Sequence, residues 1–122
     1  MTSDAPLAGI SVLIVEDDYY LASDEKAALE SAGAQVIGPC RDANEAAGFA
    51  ASKRVDCAVV DVNLGEGPSF AFARTLQQRG VPFVFVTGYD QAVIPPELAP
   101  APRLEKPIRD LDLVAAVARA CR

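Results

Sequence analysis

With 122 residues, 51% of them apolar, the chain is long enough for one domain with a hydrophobic core and too short for two. Its net charge of −6, with no Lys/Arg stripe, argues against nucleic acid as a partner. It contains no histidine, which excludes imidazole catalysis and His-ligated metal, and its 3 cysteines, with neither CxxC nor zinc spacing, read as reduced thiols.

Residues 1–9 read as a flexible lead-in without the basic region or apolar core of a signal peptide, and the domain proper is expected over 10–122. No apolar stretch approaches the roughly 20 residues of a membrane span, so a soluble cytoplasmic protein is expected. Ile10–Val15 is almost continuously aliphatic, as in a strand covered on both faces. A helix follows from Asp17 or Asp18 to Ala32, with Leu21, Ala28, Leu29 and Ala32 at helical spacing and Gly33 as its stop. Ala34–Ile37 reads as a short strand closed by Gly38-Pro39. Asp42 and Glu45 have the spacing of a capping box for a helix running to about Lys53.

Val55–Val60 is the third strand, followed by the loop Asn63–Pro68 and a helix from Ser69 to about Arg79. Gly80 ends that helix, and Val81–Val86 is the fourth strand. Between Tyr89 and Pro102 the prolines at 95, 96, 100 and 102 argue against a full helix. Arg103–Glu105 is a short fifth strand. Pro107 leads into a last helix, about Ile108–Ala120, with Ile108, Leu111, Ala115 and Ala118 on one face.

Strand and helix alternate, which predicts an α/β fold: a doubly wound parallel sheet with helices on both faces. Right-handed crossovers bring all strand C-termini to one edge, where ligands bind in such sheets. The chemistry collects there. Glu16-Asp17-Asp18 follows the first strand, Asp61 ends the third, Thr87 the fourth, and Lys106 follows the fifth. Adjacent carboxylates repel unless a cation sits among them, and a hard divalent ion such as Mg²⁺ is the economical partner.

Four segments, Leu13-Ile-Val-Glu-Asp-Asp18, Val59-Val-Asp-Val-Asn-Leu64, Phe85-Val-Thr-Gly88 and Glu105-Lys-Pro107, stand in order at these strand ends. Together they resemble a response-regulator receiver domain over essentially the full chain. The resemblance implies a flavodoxin-like five-stranded sheet of order 2-1-3-4-5 and membership of a two-component phosphorelay. Asp61 would accept a phosphoryl group from a histidine kinase or histidine phosphotransfer protein. Asp17, Asp61 and the backbone carbonyl of Asn63 would hold Mg²⁺, with Glu16 acting through a water. Thr87 would bond the phosphoryl group, and Lys106 would pair with Asp61 at rest and with a phosphoryl oxygen afterwards. Pro107 would follow a cis peptide, a bond largely restricted to proline, and Gly88 would leave the site open. Such a domain is a signalling switch with intrinsic autophosphorylation and autodephosphorylation rather than an enzyme in the ordinary sense. Its output runs through protein contact or onward phosphotransfer to a partner the sequence does not name.

Two features depart from the usual pattern. Arg103 occupies the position where many receivers carry an aromatic switch residue, and prolines erode the expected fourth helix. Both fall on the face of fourth helix, fifth strand and last helix, through which receivers are commonly read out and through which a homodimer would form. Pro82-Phe-Val-Phe-Val-Thr-Gly-Tyr89 resembles a stand-alone alphaproteobacterial subgroup with a Phe-X-Thr-Gly-X/Tyr signature, linked to stress-response phosphorelays. Tyr89 and Arg103 are then the candidates for a substitute switch.

Blander readings exist for each residue: Asp61 as a loop aspartate, Asp18 as a charge favourable to the helix dipole, Lys106 as a surface lysine before an N1 proline. Among other classes, a haloacid-dehalogenase-type phosphatase needs a second aspartate where Asn63 stands. A flavodoxin-like FMN carrier would have its phosphate repelled by Glu16-Asp17-Asp18. The remaining rival is a receiver-like binding module that works without phosphorylation, against which the joint presence of Asp61, Asp17 and Lys106 argues.

Overall fold

Every residue of the first strand, Ser11–Val15 (β1), is buried, as a strand covered from both sides requires. The computed structural model describes residues 5–62, 70–88 and 94–121. After β1 come helix Tyr19–Ser31 (α1), strand Gln35–Cys40 (β2), helix Ala43–Ser52 (α2), strand Cys57–Asp61 (β3) and helix Ala71–Gln78 (α3). Strands Phe83–Thr87 (β4) and Arg103–Glu105 (β5) and helix Asp110–Ala120 (α4) complete the chain. All strand pairs are parallel and the order is β2-β1-β3-β4-β5, as the sequence predicts.

Alternation along the strands divides the core into two layers. Val12, Ile14, Val59, Val84 and Val86 face α1 and α4, where Leu29, Leu113 and Val117 meet them. Leu13, Val15, Val60, Phe83 and Phe85 face the other way, toward Ala46 of α2 and Phe72 and Leu76 of α3. The layers fix the strands and thereby the edge that carries Glu16, Asp61, Thr87 and Lys106.

Local chemistry sets the helix starts. Asp18 is the N-cap of α1, its Oδ1 accepting from the amides of Tyr20 (3.0 Å) and Leu21 (3.1 Å). Asp42 caps α2 through the Glu45 amide at 2.9 Å, while the Glu45 carboxylate accepts from the Arg41 amide at 2.8 Å, one residue before the position an ideal capping box would use.

Several boundaries and faces differ from the sequence reading. The lead-in expected to be flexible is docked from Leu7, which is fully buried in the α1/α4 layer and donates its amide to Ala32 O at 2.9 Å. β2 continues to Cys40 through a cis Gly38-Pro39 bond. Gly38 has φ +93, and a Cβ there would lie 2.7 Å from the Cys40 amide nitrogen, so glycine alone fits. β2 is an edge strand, which is where a proline lacking its N–H is tolerated.

The last helix buries Leu113, Ala116 and Val117, whereas Leu111 is 82% exposed. An alanine-rich helix is apolar on more than one face, so spacing alone does not choose its phase. Between β4 and β5 the described residues form turns, with Leu98 N–H bonded to Pro95 O and Ala101 N–H to Leu98 O. Four helices are therefore present among the described residues. Pro95 and Pro96 have no amide hydrogen to extend these turns into another.

Candidate functional site

Glu16 leaves the end of β1 and is 2% exposed. Its Oε2 accepts from the Asp18 amide at 3.2 Å, while Oε1 has no hydrogen-bond partner among the described residues and lies 3.7 Å from Lys106 Nζ. Asp61, the last residue of β3, is equally buried, and Lys106 Nζ donates to its Oδ2 at 3.2 Å. Lys106 is fixed in turn by its own amide, which donates to Thr87 O at 2.8 Å just past the parallel β4–β5 pairing. The Lys106-Pro107 bond is cis, as the resemblance implies. Thr87 is 3% exposed and its Oγ1 has no hydrogen-bond partner among the described residues.

Carboxylate oxygens of Glu16, Asp17 and Asp61 lie within 4.8 Å of one another, with Asp17 on the solvent side. Two buried carboxylates this close are not both ionised without a cation. Burial, then the hydrogen bond to Asp61 and the Asp61 charge, push Glu16 up to about 9. For Lys106 burial pulls downward, but the charges of Glu16 and Asp61 outweigh it and the net direction is up. An all-oxygen set of three carboxylates, one holding an unmet buried oxygen, fits a hard divalent cation. It offers no thiolate or imidazole for a softer metal. Beside the cluster, a cavity of about 340 Å³ opens between α1 and the end of β2, lined by Asp17, Tyr19, Lys26 and Arg41 among others.

The structure thus brings Glu16, Asp17, Asp61, Thr87 and Lys106 to one sheet edge. Gly88 directly follows Thr87, and a Cβ there would meet nothing within 4 Å among the described residues. Asp18 is occupied as a cap. Arg103 is exposed on β5, and its side chain has no hydrogen bond or ion pair among the described residues. Asn63 and Tyr89 lie outside the described residues.

Sequence reasoning missed Glu25. It lies on the buried face of α1 with Ala22, Ala28 and Leu29, is 4% exposed, and neither carboxylate oxygen has a hydrogen-bond partner among the described residues. Burial first, then the Asp61 charge, push it up to about 7, with Lys106 opposing. The available signal was its spacing, three residues from both Ala22 and Ala28, but its charge points to solvent in any binary pattern.

The response regulator receiver domain profile matches residues 12–118. The chain is 33% identical over 113 residues to the phyllosphere-induced regulator PhyR of Methylorubrum extorquens, covering 89% of this chain and 42% of that protein. It therefore spans less than half the length of that curated relative. The solution structure of SdrG from Sphingomonas melonis Fr1 superposes with a TM-score of 0.80 at 31% identity, over 95% of this chain and 97% of SdrG. A variant of the anti-anti-sigma factor PhyR of Bartonella quintana shares the fold, with a TM-score of 0.80 at 24% identity over 97% of this chain and 51% of that one.

Proposed function

Because this chain belongs to the response regulator receiver-domain family, the switch domain of two-component signalling, we propose that it accepts a phosphoryl group on Asp61 in a Mg²⁺-dependent reaction. The donor is a phosphohistidine of a histidine kinase or phosphotransfer protein. The observation that carries this reading is the pairing of buried Asp61 with Lys106 at 3.2 Å, beside the carboxylates of Glu16 and Asp17 and the unpartnered Thr87 hydroxyl.

Chemically, an Asp61 carboxylate oxygen attacks phosphorus in line, forming the O–P bond as the P–N bond to the donor imidazole breaks. The electron pair leaves on the imidazole nitrogen, which then takes up a proton. Glu16, Asp17 and Asp61, with the carbonyl of Asn63, would hold Mg²⁺, which when bound screens the charge of the incoming phosphoryl group. Lys106 lies close enough to follow a phosphoryl oxygen with a charge-assisted hydrogen bond. Thr87 has a free hydroxyl to donate, so the new anion satisfies a group that is unmet at rest.

Output runs through protein contact or onward phosphotransfer. The Bartonella quintana relative is named an anti-anti-sigma factor, which makes a protein partner in transcriptional control the natural class for this chain. The turns at 94–101, β5 and α4 form the face that would receive it or a second copy of the chain. No described helix is long and apolar enough to cross a membrane, in keeping with a cytoplasmic site of action.

The test is labelling with acetyl phosphate, with and without Mg²⁺, of the native chain beside Asp61→Asn on a phosphate-affinity gel. A Mg²⁺-dependent shift in the native chain alone is expected. Full labelling of Asp61→Asn would move the acceptor elsewhere. A folded, Mg²⁺-binding native chain that no donor labels, a cognate kinase included, would leave a binding module that works without phosphorylation.

A further inference from the structure

Two thiols meet at the opposite end of β3 from Asp61, and neither has a part in the chemistry above. Cys57 opens β3 and is fully buried, while Cys121 is the C-cap of α4 and half-buried. Cys121 Sγ donates to the carbonyl oxygen of Asp56 at 3.7 Å, which sets it against the peptide group that leads directly into Cys57. Its backbone is held there by the amide bond to Val117 O at 3.0 Å. Both side chains belong to the α1/α4 layer, Cys57 inside its buried cluster and Cys121 packed on it. Cys40 is buried in the other layer, so the sheet stands between it and this pair. All three are free thiols.

We propose that Cys57 and Cys121 form a reversible oxidation site, at which hydrogen peroxide joins them in a disulfide that ties the end of α4 to the start of β3. Cys121 reacts first, because its sulfur is the one that solvent reaches. Its thiolate attacks a peroxide oxygen, and the S–O bond forms as the O–O bond breaks; the hydroxide released takes up the proton the thiol gave up. The Cys57 sulfur then attacks the Cys121 sulfur. The S–S bond forms as the S–OH bond breaks, and the second hydroxide leaves as water with the Cys57 proton. Two thiols and one peroxide thus become one disulfide and two waters. Burial raises both thiols; the hydrogen bond between them raises Cys57 further and opposes the rise at Cys121, which favours the thiolate on the outer sulfur. The thiolate fraction stays small, so the site answers sustained oxidant and not a brief pulse. The bond closes a long loop through α3, β4, β5 and α4, which stabilises the fold.

The test is intact mass and peptide mapping of the full chain, fully reduced and then held in hydrogen peroxide, beside Cys40→Ser, Cys57→Ser and Cys121→Ser. Remaining thiols are alkylated in denaturant before analysis. The native chain and Cys40→Ser are expected to lose two hydrogen masses and to yield tryptic peptides 55–74 and 120–122 joined by a bond that dithiothreitol breaks. Cys57→Ser and Cys121→Ser should yield no such pair. Thermal melts identify any variant that is not folded, and if buried Cys57 does not tolerate serine, Cys121→Ser carries the result. The oxidised native chain should melt roughly 5 to 15 °C above the same chain reduced. No joined peptides after prolonged peroxide, a bridge that includes Cys40, or a bond found only between two chains would each overturn the proposal. A joined pair that lowers the melting temperature overturns it too, since the fold would then have to be distorted to bring the sulfurs together.

Discussion

The resting fold should become more stable when Glu25 is replaced by leucine, by an amount that grows with pH. In the folded chain burial and the Asp61 charge raise Glu25 from 4.5 to about 7. Between these values the folded state binds more protons than the unfolded one, so stability is full below about 4.5 and falls as pH rises through 7. With one pKa unit worth about 1.4 kcal/mol, the loss between pH 5 and pH 8 integrates to about 2.5 kcal/mol. Leucine has nothing to ionise, so the variant escapes it. Urea unfolding of both proteins at the two pH values, in EDTA, isolates this contribution. Glu16 titrates in both chains, and since the Glu25 charge is the smallest cause of its shift, most of its contribution drops out of the difference. The stability gap between variant and native chain should widen by about 2 to 3 kcal/mol from pH 5 to pH 8, or roughly 8 to 12 °C in Tm for a domain of this size. Parallel pH profiles would show that Glu25 ionises in the fold as it does in the unfolded chain, and the reasoning from its burial would be wrong.

Three further outcomes follow from the same edge. Lys106→Ala should still bind Mg²⁺ but lose the conformational response to phosphorylation, and it should cost about 2 kcal/mol at pH 8 by leaving Asp61 without its cation; a normal set of phosphorylation-induced amide shifts would refute its role. Thr87→Val keeps the shape and removes a buried hydroxyl with no partner, so it should raise the resting stability by about 1 kcal/mol while abolishing the response at β4. A loss of stability in its melt would mean that the hydroxyl is bonded at rest. Mg²⁺ at one hundred times its Kd should stabilise the native chain by about 2.7 kcal/mol. Asp17→Ala should lose most of that gain and Asn63→Ala less, since Asn63 offers only a backbone carbonyl; equal effects in denaturant melts would refute the assignment.

The strands and the edge were legible because their signals are one-dimensional. A strand buried on both faces is a run of aliphatics, and its C-terminal residue is wherever the run meets a polar group. Asp61 and Thr87 turn out to be the last residues of β3 and β4, with Glu16 and Lys106 directly after β1 and β5. Helix faces were less legible. Leu111 and Leu113 are equally apolar in the sequence, and only contact with Leu29 and Val84 in the same layer identifies the inner one as Leu113. Leu7 was missed because a single apolar residue in a short lead-in has no periodicity to show. The run of β2 past Ile37 depends on the Gly38 backbone and an edge position, neither of which a propensity argument weighs.

Glu25 was illegible for a deeper reason, which bears on how the fold is tuned. Among the described residues the buried side-chain oxygens without partners are Glu16 Oε1, both oxygens of Glu25, and Thr87 Oγ1. Burial is widespread in this molecule, with apolar layers on both sides of the sheet, yet among the described residues the unmet side-chain oxygens are confined to Glu16 and Thr87 at the edge that carries Asp61 and to Glu25 on the inner face of α1. Buried polar groups are normally bonded, and each exception carries a penalty of about 1 to 3 kcal/mol. Two of these groups have an assigned remedy: a cation meets Glu16, and a phosphoryl oxygen meets Thr87. Glu25 has none in either state, so its penalty persists. Binary patterning assumes that each residue is placed to stabilise the fold. At Glu25 that assumption fails, which is why sequence reasoning passed over a buried carboxylate that weakens the fold it sits in.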